Sequence, residues 1–278
     1  MDLLPGPVED EAVARLLAVL DRPAEVVLAA GGLDAPTVTA EAQVAVALGR
    51  ALAPAELTFA LLAVPHALAG VAVPRPGGGH ACFGPLDAEI VLLWDDDGLA
   101  VADRFVVHDV VECLDPTTPM AVGEVPNPGP PSPEAATRAT MLVAAVCAGL
   151  ARGAQDMAVE YARTREQFGR PIGANQAIKH RCADAATRSE AAWASVNYAS
   201  ISLTEGRADA GFRVAVAARV AQDAALENGR MNIQVHGGRG YTLECPAHGF
   251  LLRARVLEQL AGGAGRARRA LLAHDPLA

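Results

Sequence analysis

Between Glu124 and Pro133 the chain reads EVPNPGPPSP, and no regular element can run through it. Proline lacks the N–H that a helix or a sheet ladder uses and fixes its own φ. This decapeptide therefore divides the chain into parts that must fold by different rules. Ser132 and Pro133 are the residue types that suit the cap and first position of a helix. Beyond them Leu142, Val146, Leu150, Ala154, Met157 and Tyr161 recur at helical spacing, and similar patterns cover about 176 to 204, 209 to 235 and 246 to 261. Four such segments with short breaks between them predict an antiparallel four-helix bundle.

Ahead of the break the character differs. Glu89 to Trp94 (EIVLLW) and Leu99 to Asp103 (LAVAD) flank Asp95, Asp96, Asp97 and Gly98, an acidic turn between β-rich runs, which predicts a hairpin in a small antiparallel sheet. Residues from about 8 to 70 carry helical patterns broken at Gly31-Gly32 and at Pro54, with Thr39 placed to cap the run that begins at Glu41. The expected organisation is a short helical domain over 1–70, a small β domain over 71–128 and the bundle over 129–278. The fold class is mainly α with a small β domain.

Composition supports this. Hydrophobic residues make up 51% of the 278 but aromatics only 4%, and the surplus of alanine, valine and leucine favours closely packed helices. A formal charge of -9 excludes the basic stripe with which a protein neutralises nucleic-acid phosphates. Charges or prolines interrupt the apolar runs before membrane length, and the N-terminus lacks the basic-then-apolar order of a secretory signal. A cytoplasmic protein that meets neither membrane nor nucleic acid is expected. Cys82, Cys113, Cys147, Cys182 and Cys245 are odd in number and widely spaced without a CxxC pair, so they predict inert thiols rather than disulfides or a metal site.

Two strings stand out at helix ends. Tyr161 to Gly173 reads YARTREQFGRPIG, where Gly169 and Pro171 stop the helix and Gln176 opens the next one. The turn gathers Arg165, Gln167 and Phe168, and a guanidinium there suits a pyrophosphate because its planar fork donates two hydrogen bonds to phosphate oxygens. Gln234 to Tyr241 reads QVHGGRGY, in which Gly237, Gly238 and Gly240 would end a helix and let backbone approach a ligand. Taken alone each string also fits a plain helix stop. His236 suits either a phosphate or the helix end, where its partial charge is favourable.

Together the strings resemble the C-terminal half of an acyl-CoA dehydrogenase, over about 133 to 263 and including Arg253. The resemblance implies FAD as cofactor, with Arg165 and Phe168 near the pyrophosphate, Gln167 and Gln176 at further contact positions, and Gln234, Gly237 and Gly238 at the adenine end. In that family these contacts reach FAD held mainly by a neighbouring subunit. No Thr-Glu-Pro string followed by Gly-Ser-Asp, which holds the flavin ring and thioester in the family, occurs in 71–125.

The reaction also needs a base for the α-proton while the flavin takes hydride from the β-carbon. Laying residues 253 to 268, RARVLEQLAGGAGRAR, against the family pattern puts Gly262 where the glutamate belongs and Ala264 in place of a threonine. The alternative seat in the preceding helix falls at Ala139. Glu258 lies four residues before Gly262 on the same helix face but about 6 Å along the axis. Glu134 faces elsewhere, and a solvated helix carboxylate is the ordinary state of both. No catalytic residue and no metal ligand is therefore assigned to this chain.

The missing elements all serve the ring and substrate end, and those retained serve the nucleotide end. The resemblance thus implies an α2β2 heterotetramer with a related, longer subunit that supplies base and ring pocket and binds most of the acyl-CoA, a bulky and possibly steroid-derived thioester, with an electron-transfer acceptor completing turnover. A self-sufficient dehydrogenase using Glu258, or a structural or regulatory subunit that has lost the cofactor, are the competing readings.

Overall fold

The computed structural model describes residues 38–63, 69–88 and 90–273. The expected features at Gly31-Gly32 and Glu89 lie outside these residues. Seven helices are described: α1 (Val38–Arg50), α2 (Ala55–Leu62), α3 (Pro133–Thr164), α4 (Gln176–Thr204), α5 (Ala210–His236), α6 (Ala247–Leu260) and α7 (Gly263–Ala273). Between α2 and α3 lie six strands: β1 (Ala69–Pro74), β2 (His80–Phe83), β3 (Ile90–Trp94), β4 (Leu99–Ala102), β5 (Val106–Val110) and β6 (Met120–Glu124).

The sheet runs in the order β4-β3-β1-β2-β6-β5. It is mixed, not antiparallel as the sequence suggested. β1 pairs antiparallel with β2 but parallel with β3, Val71 lying opposite both Phe83 and Leu92. β1 accordingly sits inside the sheet, and its Ala69, Val71 and Ala72 are buried. The hairpin of β3 and β4 forms as expected, with Trp94 paired to Leu99. The Asp95 carboxylate closes that turn by accepting from the backbone N–H groups of Asp97 (2.9 Å) and Gly98 (3.1 Å).

Ser132 caps α3 as its sequence context predicted, its hydroxyl accepting from Ala135 N at 3.1 Å, with Pro133 following it. Thr39 is not a cap: it lies inside α1, and its hydroxyl meets that of Thr204 at 3.0 Å. Helices α3 to α6 form the bundle. The most apolar window of α3 has the length and composition to cross a bilayer, yet 67% of it is buried inside the molecule, so it is a core helix. Helix α7, whose GAGRAR start carries few periodic apolar positions, was not foreseen in the sequence.

Small residues set how closely α1 approaches α3. A Cβ on Gly49 would lie 2.0 Å from the Val146 carbonyl oxygen, and one on Gly149 would lie 2.1 Å from that of Val46. The backbones touch there because neither residue has a side chain. Arg138 of α3 then fastens the N-terminal helices, donating to Glu41 (2.5 and 3.0 Å) and to the carbonyls of Leu61 and Leu62. Inside the bundle Asn228 is fully buried and saturated: its amide donates to Ala151 O, Ala185 O and Ser189 Oγ, and its oxygen accepts from Arg188 at 2.8 Å. One side chain thereby fixes the register of α3, α4 and α5.

A buried ion pair joins the sheet to the bundle. Arg253 of α6 and Asp115 of the loop between β5 and β6 are each 4% exposed and hydrogen-bonded. Arg253 also donates to Ala53 O and to the Thr117 hydroxyl, both at 2.8 Å, and Asp115 accepts from Thr117 and Thr118. Burial pushes the Asp115 carboxyl up, but the guanidinium and the threonine donors outweigh it and hold it below the ordinary carboxylate range.

Candidate functional site

Both signature strings lie at one end of the bundle, because α3 and α5 run in the same direction and end side by side. At the end of α3 the chain forms a two-residue hairpin, with β7 (Glu166–Gln167) antiparallel to β8 (Arg170–Pro171). Its central residues Phe168 and Gly169 have φ of 55° and 75°, the left-handed geometry of the turn that matches strand twist. Glycine adopts this readily, whereas phenylalanine does not. Phe168 is also fully exposed, so nothing within the chain repays its strained backbone.

Around that tip the polar groups also point outward. Arg165, Gln167 and Gln176 are exposed. The Arg165 side chain has no hydrogen-bond or ion-pair partner among the described residues, although its backbone is anchored by bonds to Tyr161 and Ile172. Gln167 donates to the Glu166 carbonyl, Gln176 bonds His180 at 3.1 Å, and Arg170 bonds Asn175 at 3.0 Å. Gln176 is the first residue of α4, as its sequence context predicted.

The second string takes in the last three residues of α5 and the 3-10 turn that follows it, Gly237–Tyr241. Gln234, Gly237 and Gly238 are exposed. A Cβ at Gly237 or Gly238 would meet nothing within 4 Å, and Gly238 does not have positive φ. Its lack of a side chain therefore serves no contact inside the chain. Gly240 differs, since its Cβ would lie 2.7 Å from the Ile233 carbonyl oxygen. His236 takes the helix-end role: it is buried, its Nδ1–H donates to Asn232 O at 2.9 Å, and its ring stacks on Tyr161.

The positions considered for a base lie elsewhere. Gly262, in the turn between α6 and α7, has φ +79°, and a Cβ there would come within 2.6 Å of Arg266 Nε. Ala139 is fully buried in the core. The Glu258 carboxylate is held at 2.6 Å by Arg255 and does not line the adjoining cavity, and Glu134 is exposed on the first turn of α3. Cys147 does line the cavity, but burial, reinforced by the Glu258 charge, pushes its thiol up to about 12, so it is no nucleophile. All five cysteines are free, and no metal-binding cluster occurs among the described residues.

Residues 134–274, about half of the chain, match the C-terminal domain of acyl-CoA dehydrogenases. The acyl-CoA dehydrogenase IpdE2 of Mycobacterium tuberculosis is 35% identical over 90% of this chain and 82% of its own length. This chain belongs to the acyl-CoA dehydrogenase family. It is also 43% identical over 129 residues to the acyl-CoA dehydrogenase FadE34 of the same organism, covering 46% of this chain but 18% of that protein.

Among solved structures, the ChsE4-ChsE5 complex of M. tuberculosis aligns with a TM-score of 0.71 and 21% identity, over 99% of this chain and 100% of the other. The Tcur3481-Tcur3483 steroid acyl-CoA dehydrogenase variant aligns at 0.67 and 22%, over 94% and 92%. At these identities the likeness is one of fold. The family comprises oxidoreductases that depend on FAD. An exposed, unpaired guanidinium, an outward aromatic ring and glycines facing open space fit the nucleotide part of that cofactor.

Proposed function

We propose that this chain is the base-lacking subunit of a heteromeric, FAD-dependent acyl-CoA dehydrogenase that introduces an α,β double bond into a bulky, steroid-derived acyl-CoA. The observation that carries the reading is a contrast: the nucleotide grip faces away from the chain, while the catalytic seat is a glycine with left-handed backbone. The related complexes named above, the ChsE4-ChsE5 complex and the Tcur3481-Tcur3483 steroid acyl-CoA dehydrogenase, support both the partner and the substrate class.

Each residue has a chemical task in this reading. Arg165 donates its planar fork to the pyrophosphate. Phe168 projects beyond the hairpin to pack on the partner's nucleotide site. Gly237 and Gly238 let backbone approach the adenine end, and Gln167, Gln176 and Gln234 supply further hydrogen bonds. Bound FAD supplies the hydride acceptor for the β-carbon.

A related, longer subunit contributes the ring pocket, the base that removes the α-proton and most of the acyl-CoA site. The assembly is α2β2, and a separate electron-transfer protein reoxidises it. Helix α3 spaces the two regions: its 32 residues rise about 48 Å between the Ser132 contact with β4 and the hairpin.

Flavin stoichiometry in the complex co-purified with the partner tests the reading. One FAD per unlike pair, falling severalfold with Arg165→Ala, is the expected result. A yellow homotetramer of this chain alone that reduces an acceptor with acyl-CoA would overturn it.

A further inference from the structure

A cavity of about 400 Å³, within the size range of small-molecule sites, lies between the last turns of α3, the 3-10 turn Ile172–Ala174 and the first turns of α4. Its walls are apolar: Val159 and Ala162 of α3 stand across from Pro171, Ala174 and Ile178. Cys182 completes them with a thiol that burial pushes up, so this wall is uncharged at neutral pH. The chain itself holds the walls in place. A Cβ on Gly173 would lie 2.8 Å from the Ala162 carbonyl oxygen, so the turn packs directly on the α3 backbone, and Ile172 N donates to Arg165 O at 2.8 Å.

The rim has a different chemistry. Arg163 of α3 and Lys179 of α4 flank the cavity, both exposed, and neither has a hydrogen-bond or ion-pair partner among the described residues. Elsewhere on the bundle Arg152, Arg219 and Arg230 are each met by a carboxylate three or four residues away. No carboxylate lines this cavity, although the chain carries a formal charge of -9. Long cationic side chains lay their methylene stems along apolar surface and keep their heads in water, which puts two unneutralised charges over an apolar floor. Such a cleft repels a cationic guest and leaves its charges unused with a neutral one. The guanidinium fork and the ammonium together can serve both oxygens of one carboxylate.

We infer that this cavity binds an apolar molecule ending in a single free carboxylate, its body against Val159 and Ile178 and its head between Arg163 and Lys179. This goes beyond the reading above and does not rest on it, since neither the residues assigned to flavin nor Gly262 lines the cavity.

The experiment is calorimetric titration of the full chain with decanoate, 1-decanol, decyl phosphate, decyltrimethylammonium and acetate. Saturable binding of decanoate is expected, about fivefold tighter than decanol, the worth of two exposed ion pairs. That preference should shrink as salt is raised. The double variant Arg163→Gln, Lys179→Gln should bring decanoate to the affinity of decanol while leaving decanol unchanged, and Ala174→Trp should fill the cavity and abolish binding of both. Lys179 is the only lysine in the sequence, so its acetylation by an N-hydroxysuccinimide ester, read by peptide mass spectrometry, gives a second readout. Saturating decanoate should slow that labelling severalfold, and acetate at the same concentration should not. The proposal fails if decanoate does not saturate or leaves Lys179 labelling unchanged, if decanol or decyltrimethylammonium binds as tightly, if decyl phosphate binds more tightly, or if the double variant keeps the preference. Because the double variant is judged by retained decanol binding, misfolding of the tryptophan variant does not remove the test.

Discussion

The rings of Tyr161 and His236 are stacked, with centroids 4.1 Å apart and planes 20° from parallel. Tyr161 lies four residues before Arg165, and His236 immediately precedes Gly237. One contact therefore holds the two signature strings at a fixed separation. His236→Ala removes both this stack and the bond to Asn232 O, a loss of roughly 2 kcal/mol. His236→Phe keeps the stack and should recover about half of that loss. Denaturant titration of the two variants checks the division, and flavin content of the mixed complex should follow the same order.

Phe168 offers a test that separates function from folding. Its φ of 55° is one that glycine accepts without strain, and its ring contributes no burial to the chain. Phe168→Gly should leave the isolated chain as stable or more stable, within about 1 kcal/mol. The same variant should lower flavin retention in the mixed complex. A fall in stability together with unchanged flavin would assign Phe168 to the chain's own packing.

The glycines of the second string divide in the same way. Gly238→Ala adds a methyl group to open space and should alter the chain's stability by less than about 0.5 kcal/mol. Gly240→Ala drives its methyl against the Ile233 carbonyl oxygen and should cost about 1–3 kcal/mol. Flavin affinity should reverse the comparison, with Gly238→Ala losing more than its effect on stability accounts for. Thermal melts and flavin titration of both variants in the mixed complex decide it.

Much of this arrangement was legible in the sequence where local chemistry sets it. The cap at Ser132, the hairpin around Asp95 to Gly98 and the opening of α4 at Gln176 all follow from residues a few positions apart. The parallel pairing of β1 with β3 was not legible, because hydrophobic alternation marks a strand without naming its neighbour. Asp115 was missed for the same reason: Asp-Pro-Thr-Thr reads as a turn, and its partner Arg253 is 138 residues away. The two signature strings were visible one by one, but the Tyr161–His236 contact that unites them is tertiary.

Asp115 sets the acid limit of the fold. Its folded pKa is depressed below the ordinary 3.8, so the native state releases this proton more readily than the unfolded chain. Its contribution is therefore complete above the ordinary value and is lost as pH falls through the lowered one. Asp115→Asn should cost about 3–5 kcal/mol at neutral pH by leaving Arg253 buried without its counter-charge. It should also flatten the decline in stability below that ordinary value. Denaturant midpoints measured across the acid range for both proteins check sign and size together.

Gly262, which aligns with the family's glutamate, tests whether one substitution can supply a base in the proposed reading. A glutamate there would need φ +79°, which costs a non-glycine residue about 1–2 kcal/mol, and its Cβ would meet Arg266 Nε at 2.6 Å. To relieve that contact Arg266 must leave Asp96, loosening the junction of α7 with the sheet. Any carboxylate that remained would also lie beside the displaced guanidinium, which favours its ionised form but draws it into an ion pair. Gly262→Glu should therefore lower stability and give the isolated chain no acyl-CoA-dependent reduction of an electron acceptor. The double variant Gly262→Glu, Arg266→Ala relieves the clash, so its stability should return part of the way while turnover stays absent, because the Thr-Glu-Pro and Gly-Ser-Asp elements are still lacking. Turnover by either variant without the partner would show that this chain holds a complete flavin and substrate site.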